Sequence, residues 1–261
     1  MPEGPGFSRG PGGDDSPGAR GGSVAALAGL GPFFAVRPYD PAAPPGAPWR
    51  PMRELVDDPA VFADRVARVR AALGTAAGRA AGEIEERVAV SVAQLGLVAR
   101  LLSPALALAA GTGTVPALPL SRLYWQPTLG GPFPLAVPNP APGRPPTAEM
   151  AGEFRRSVLD TGVRELVAVA GRWPLSVRIR WGNVASALGG AAGMLVAGRP
   201  ELTGPTRTLL SALLRDEPLR GTATVDAAGR LHRRSCCLIY RTAGPARPGN
   251  LCGDCVLAHR D

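Results

Sequence analysis

The sequence predicts a mainly α-helical fold with small β-hairpins, an α+β arrangement. Three observations lead there. Several long stretches repeat apolar residues at three- and four-residue steps, the period of a helix with one buried face. Two shorter regions, Leu120–Val137 and Thr222 onward, set short apolar runs on either side of glycine-bearing turns, as hairpins do. The tail from Leu231 to Asp261 holds all four cysteines of the chain. At 261 residues with 45% hydrophobic content, there is ample material for a real core.

The chain divides into four parts. Residues 1–22 are dense in glycine and proline, with Asp14 and Asp15 among them, and predict a disordered extension rather than a secretory signal. Residues 23–52 form a proline-rich lead-in, with an apolar patch from Ser23 to Val36 broken at Gly31-Pro32. Residues 53–225 are the mainly helical body, and residues 226–261 the C-terminal cysteine motif.

Within the body, Val61, Phe62, Val66, Val69 and Leu73 predict an amphipathic core helix starting at Pro59. Glu83 to Ala110 is the longest apolar stretch, and the acidic Glu83, Glu85 and Glu86 suit its N-terminus. Gln94, Arg100 and Pro104 interrupt it too often for a membrane span, since a mid-bilayer arginine is costly. It predicts a buried central helix, broken near Ser103-Pro104. Leu120–Trp125 and Phe133–Val137, joined through Gly130-Gly131, predict a hairpin whose Tyr124 and Trp125 pack inward rather than line a ligand surface. Pro138 to Pro146 reads as a linker.

Phe154, Val158, Leu159, Val163, Leu166, Val167 and Ala170 predict a second long helix between Ala148 and Arg172. After Trp173-Pro174, Ser176 to Val196 is rich in alanine and glycine. Gly189, Gly190 and Gly193 there predict a tight helix crossing, not a phosphate loop. No glycine-rich phosphate fingerprint occurs, so nicotinamide binding has no support. Thr203-Gly204-Pro205 starts a helix with Leu209, Leu210, Leu213 and Leu214 as its buried stripe. The last hairpin, turning at Asp226 to Gly229, would carry Cys236 and Cys237 on its second strand.

The net charge is +8, yet the chain contains no lysine: all 29 basic residues are arginine, amid abundant alanine, glycine and proline. That bias has the look of GC-rich coding. With 5% aromatics and no recognised motif, nucleic-acid binding is not indicated.

Cys236 and Cys237 are adjacent, fourteen residues follow, and Cys252 and Cys255 then bracket Gly253 and Asp254. Soft thiolates select zinc, cuprous copper or iron-sulfur clusters over calcium and magnesium. A Cys-X-X-Cys step brings two sulfurs to one side of a turn. A vicinal pair is unusual for structural zinc, whose paired ligands stand two to four residues apart. Neighbouring side chains of an extended segment also point to opposite faces, which a two-iron cluster accommodates more easily than a single ion. Spacing alone leaves cluster and zinc both open. Two disulfides would need an oxidising compartment, which nothing here suggests.

The run Arg-Arg-Ser-Cys-Cys-Leu-Ile-Tyr-Arg (233–241), followed by Cys-Gly-Asp-Cys-Val-Leu (252–257), resembles the C-terminal signature of the ferric-siderophore reductases of the ferric hydroxamate type. Trp-Gly-Asn-Val-Ala-Ser (181–186) is similar to a second, less specific segment of that family. The spacer between the cysteine pairs is several residues longer than the family usually has. The excess, Ala243 to Asn250, has the composition of a tolerated loop insertion.

The resemblance implies a 2Fe-2S cluster held by Cys236, Cys237, Cys252 and Cys255, and one-electron reduction of ferric siderophores in the cytoplasm, or peripherally at the inner membrane face. The partners implied are a ferric siderophore as substrate and an unidentified electron donor, with no transmembrane segment. Arg233, Arg234 and Arg241 are candidate contacts to the chelate or to the cluster's surroundings, against the alternative of a solvated surface. His232 and His259 flank the cysteines and are expected outside the ligand set. No catalytic residue beyond the cluster is implied. Two other functions fit the same residues: a cluster-bearing electron carrier or redox sensor without a siderophore site, and a zinc-stabilised binding protein.

Overall fold

The structure, a computed structural model, describes residues 27–139, 141–143, 147, 149–243 and 251–259. The 1–22 extension and most of the 243–250 spacer, as read from the sequence, lie outside the described residues. Within them the fold is mainly α with two small sheets, as the periodicities predict.

Helix α1 (Pro59–Ala77) begins as sequence rules require. Asp58 caps it, accepting from the Ala60 amide at 2.8 Å, and Pro59 takes the first position, where no amide hydrogen is needed. It ends on Gly78 in the left-handed region. Phe62, Val66 and Val69 are buried against helix α2 (Glu86–Thr112), the central element. By length and composition α2 could cross a membrane, but most of its apolar stretch is buried inside the fold.

The predicted break at Ser103-Pro104 does not occur: α2 runs through Pro104. A helix-interior proline costs about 3 kcal/mol. Around it Leu97, Val98, Leu101, Leu102, Ala105 and Leu106 are fully buried, and each large side chain returns about 1.5–3 kcal/mol on burial, so packing outweighs the lost hydrogen bond.

Arg100, in the same helix, is also buried. Its guanidinium donates to the carbonyls of Phe133 and Phe33, each at 2.8 Å, and to that of Ala35. Burial lowers its pKa to about 10. The bonds stitch α2 to the chain on both sides of it: the 33–35 segment and the sheet.

That sheet has the order β1-β4-β3-β2, with β1 (Arg37–Tyr39) parallel to β4 (Leu135–Pro138), and β3 (Tyr124–Trp125) antiparallel to both β4 and β2 (Arg50–Pro51). The expected hairpin is therefore β3–β4, widened by two strands from the proline-rich segment. Trp125 is fully buried, its indole donating to Glu54 at 2.8 Å, while Tyr124 stacks edge-on against Tyr39.

The second amphipathic helix starts as α3 (Met150–Phe154), passes through a wide-turned segment, Arg155–Val163, and continues as α4 (Arg164–Ala170). Phe154, Val158, Leu159, Val163, Leu166, Val167 and Ala170 are all buried, as predicted. The irregularity centres on Thr161, beside Gly162, where any Cβ would collide with the Leu118 carbonyl. Regular geometry yields there to the close approach of the 118 loop.

Helix α5 (Val177–Gly198), capped by Ser176, packs along α2, and α6 (Thr203–Arg215) lies against α5 with Leu209, Leu210 and Leu213 buried. The glycines of α5 do not mark a helix crossing. Gly189 admits Leu231 of strand β6 (Leu231–Arg233), whose Cβ would stand 2.7 Å from an added side chain, while a Cβ at Gly190 or Gly193 meets nothing within 4 Å. Strand β5 (Ala223–Val225) pairs antiparallel with β6, completing the last hairpin.

Replacing Arg100 with methionine leaves three buried carbonyls without a donor. Unfolding by denaturant is expected to show a loss of about 3 kcal/mol or more, with helical content retained below the transition.

Candidate metal centre

The cysteines lie just past β6 rather than on it, because the strand ends at Arg233. There the chain is pulled onto helix α5 instead of continuing a ladder. Ser235 donates to the Arg178 carbonyl at 3.2 Å, and Arg178 donates back to the Arg234 carbonyl at 2.9 Å. The Arg233 amide donates to the Asp254 carbonyl at 3.0 Å, which ties the first half of the motif directly to the Cys-X-X-Cys turn. That turn closes through the Cys255 amide on the Cys252 carbonyl at 3.1 Å.

These bonds bring all four thiols to one place. The Cys237 and Cys252 sulfurs are 3.5 Å apart, and Cys236 interacts with Cys255. Each sulfur pair therefore takes one member from each half of the motif. Among the described residues no three His, Cys, Asp or Glu groups are arranged to hold a single metal ion. None of the four is in a disulfide.

Cys236 accepts a backbone hydrogen bond from Leu238 at 3.2 Å and Cys255 one from Leu257 at 3.4 Å. Burial pushes Cys236 up to about 11. Cys237 is drawn down to about 6, chiefly by its hydrogen bond with Cys252 and further by the Arg233 charge. Its partner Cys252 is correspondingly raised.

The arginines separate by environment. Arg241 is exposed and pairs with Glu85 at 2.5 Å, docking the turn after the vicinal cysteines onto the start of α2; the Arg79 guanidinium supports the same turn through the Thr242 carbonyl at 3.1 Å. Arg234 is exposed and held through its backbone. Arg233 is 2% exposed. It donates to Asn183 Oδ1 at 2.7 Å, and its Nε and Nη1 are buried with no partner among the described residues. A buried guanidinium with spare donors beside the acidic Cys237 thiol is a site prepared for negative charge.

Asn183 is itself fixed from behind. Its amide nitrogen donates to Gln94 Oε1 at 2.7 Å and to Ser91 at 3.1 Å, both on α2. Gly182 matters as much, because a Cβ there would collide with Ser235 Oγ and lie 3.2 Å from Arg233 Nη2. The 181–186 segment is thus the seat of the cysteine strand. Its pairing with Arg233 and Ser235 could not be read from spacing, since about fifty residues separate them. His232 bonds Asp226 at 2.9 Å, on the hairpin and away from the sulfur pairs. The side chain of His259 lies outside the described residues.

Residues 233–257 match the model of the FhuF 2Fe-2S C-terminal domain. The tail is similar to the FhuF-type 2Fe-2S domain. The match spans both cysteine pairs and Arg233, and supports the likeness to the ferric-siderophore reductases seen in the sequence. No curated protein matches the chain. The likeness points to an iron-sulfur cofactor at the end of a helical body that lies outside the matched residues, and the buried cation and four clustered thiols fit such a cofactor.

Gly182→Ala is expected to lift Ser235 and Arg233 off α5. Visible absorption per protein should fall by more than half, while far-ultraviolet circular dichroism stays helical. Arg233→Gln keeps a donor for Asn183 but removes the charge, which favours the more negative, reduced form. The midpoint potential is expected to drop, by about 60 mV for each ~1.4 kcal/mol of lost differential stabilisation, as read by potentiometric titration.

Proposed function

We propose that the protein releases iron from ferric siderophores by reducing the metal with one electron. The observation that carries this reading is the FhuF-type 2Fe-2S match laid over four thiols that the fold gathers in two crosswise pairs. In this reading Cys236, Cys237, Cys252 and Cys255 would hold the cluster, the close approach of Cys237 to Cys252 and of Cys236 to Cys255 bringing the thiols of both halves to one site. When bound, such a cluster supplies one electron at a time.

The chain's own part is to hold and tune. Arg233 offsets the accumulated negative charge from within the protein, and the Leu238 and Leu257 amides, bonded to sulfur, raise the potential in the same direction. Arg241 and Arg79 fix the turn that follows the vicinal pair. Ferric iron is a hard ion gripped by hydroxamate or catecholate oxygens, and the ferrous ion is held far less tightly. One electron therefore suffices, and no acid-base residue has to break a bond.

The test is anaerobic. Protein reduced with dithionite, then freed of excess, is mixed with ferric desferrioxamine in the presence of a ferrous-specific indicator. One ferrous ion should appear per reduced protein as the oxidised spectrum returns. A fully loaded preparation that no ferric hydroxamate or catecholate can reoxidise would speak for an electron carrier or sensor instead. Cys237→Ser is expected to lose most of the visible absorption and the ferrous product together.

A further inference from the structure

A cleft of about 700 Å³ opens beside the cysteine turn, and nothing in the cluster chemistry requires it. One wall is α5 with Gly190 and Gly193, the other is α6 with Thr206 and Ser211. The β5–β6 hairpin forms the back, and one end is closed by Gly253 and Asp254, the two residues between Cys252 and Cys255. We infer that this cleft seats the oxygen-donor ferric chelate, so that the iron to be reduced lies against the Cys-X-X-Cys turn. The inference rests on the proposed reduction of ferric siderophores and assigns that reaction its binding site.

Four features favour a compact ligand there. The volume falls within the roughly 300–1,000 Å³ of small-molecule sites. The glycines of the α5 wall receive no neighbouring backbone: a Cβ at Gly190 or Gly193 would meet nothing within 4 Å. A mid-helix glycine costs about 1 kcal/mol relative to alanine, and here that cost leaves room rather than allowing an element to pack. Thr206 is fully buried, lines the cleft, and its hydroxyl has no hydrogen-bond partner among the described residues; the same holds for Asp254 Oδ2. Both atoms are sealed from solvent, so each meets a ligand rich in hydroxamate carbonyls and amide N–H groups only after a side-chain rotation that brings the hydroxyl, as donor, or the carboxylate, as acceptor, to the cleft surface. Finally, Arg207 and Arg230 stand at the rim. With Asp226 beside them they make a rim of mixed charge that can hydrogen-bond both the oxygens and the N–H groups of a chelate.

The position of the floor makes the site one for electron exchange. Gly253 and Asp254 are the covalent neighbours of two of the four cysteines, so a chelate touching them is one residue from sulfur. The electron balance is simple: the reduced protein loses one electron, the chelated ferric ion gains it, and no bond to the protein forms or breaks.

Gly190→Leu and Gly193→Leu place a Cβ where it meets nothing within 4 Å, extend into the cleft and improve helix propensity, so both should fold. Ser211→Trp blocks it from the opposite wall and serves as the independent variant. Reoxidation of dithionite-reduced protein is followed with ferric desferrioxamine and, separately, with ferricyanide, and binding is measured by calorimetry with redox-inert gallium desferrioxamine. The variants are expected to keep the wild-type visible spectrum and ferricyanide rate, while chelate reoxidation slows and gallium-chelate affinity falls, each at least tenfold. Wild-type chelate rates and affinity in all three variants would overturn the cleft assignment and leave the reductase reading standing. Failure of the wild-type protein itself to be reoxidised by the ferric chelate would overturn the reductase reading, and the cleft assignment with it.

Discussion

The hydrogen bond between Arg233 and Asn183 is the joint on which the functional end of the molecule depends. On one side Asn183 is locked to Ser91 and Gln94 of the central helix; on the other Arg233 reaches toward Cys237 and, through its backbone, holds the Asp254 turn. A buried charge tolerates no loose geometry, because a guanidinium removed from water and left without acceptors costs several kcal/mol. The network therefore transmits the rigidity of the α2–α5 packing directly to the sulfur atoms.

The helical body earns its size through this joint. The cysteine motif by itself is a short run of turns and a three-residue strand, too small to bury a core. Gly182 lets Ser235 and Arg233 sit against α5, Gly189 lets Leu231 do the same one helical segment further on, and the Glu85–Arg241 pair closes the other edge. The same α5 surface then runs on into the cleft at Gly190 and Gly193, so cofactor support and proposed chelate binding are consecutive turns of one helix.

Much of the fold was legible. The apolar periods of α1, α2 and α6, the helix start at Pro59, and both hairpins stand where their residues predict. Pro104 was misleading because a local rule was applied where burial on every side decides the outcome. Gly189, Gly190 and Gly193 were read as one feature, yet one admits a strand and two face open space, a difference that depends on what lies across from them. The three candidate arginines looked alike in the chain; only Arg233 is buried, while Arg241 pairs with Glu85, 156 residues away.

From the residues alone came the donor chemistry: four thiols, their halves and their order, since softness and spacing are properties of the chain. Which thiol faces which, which cation stands beside them, and where a ligand could approach were decided by tertiary packing. Those contacts join residues tens to more than a hundred positions apart, and no local pattern encodes the pairing of surfaces that meet only when α2, α5 and the tail are assembled.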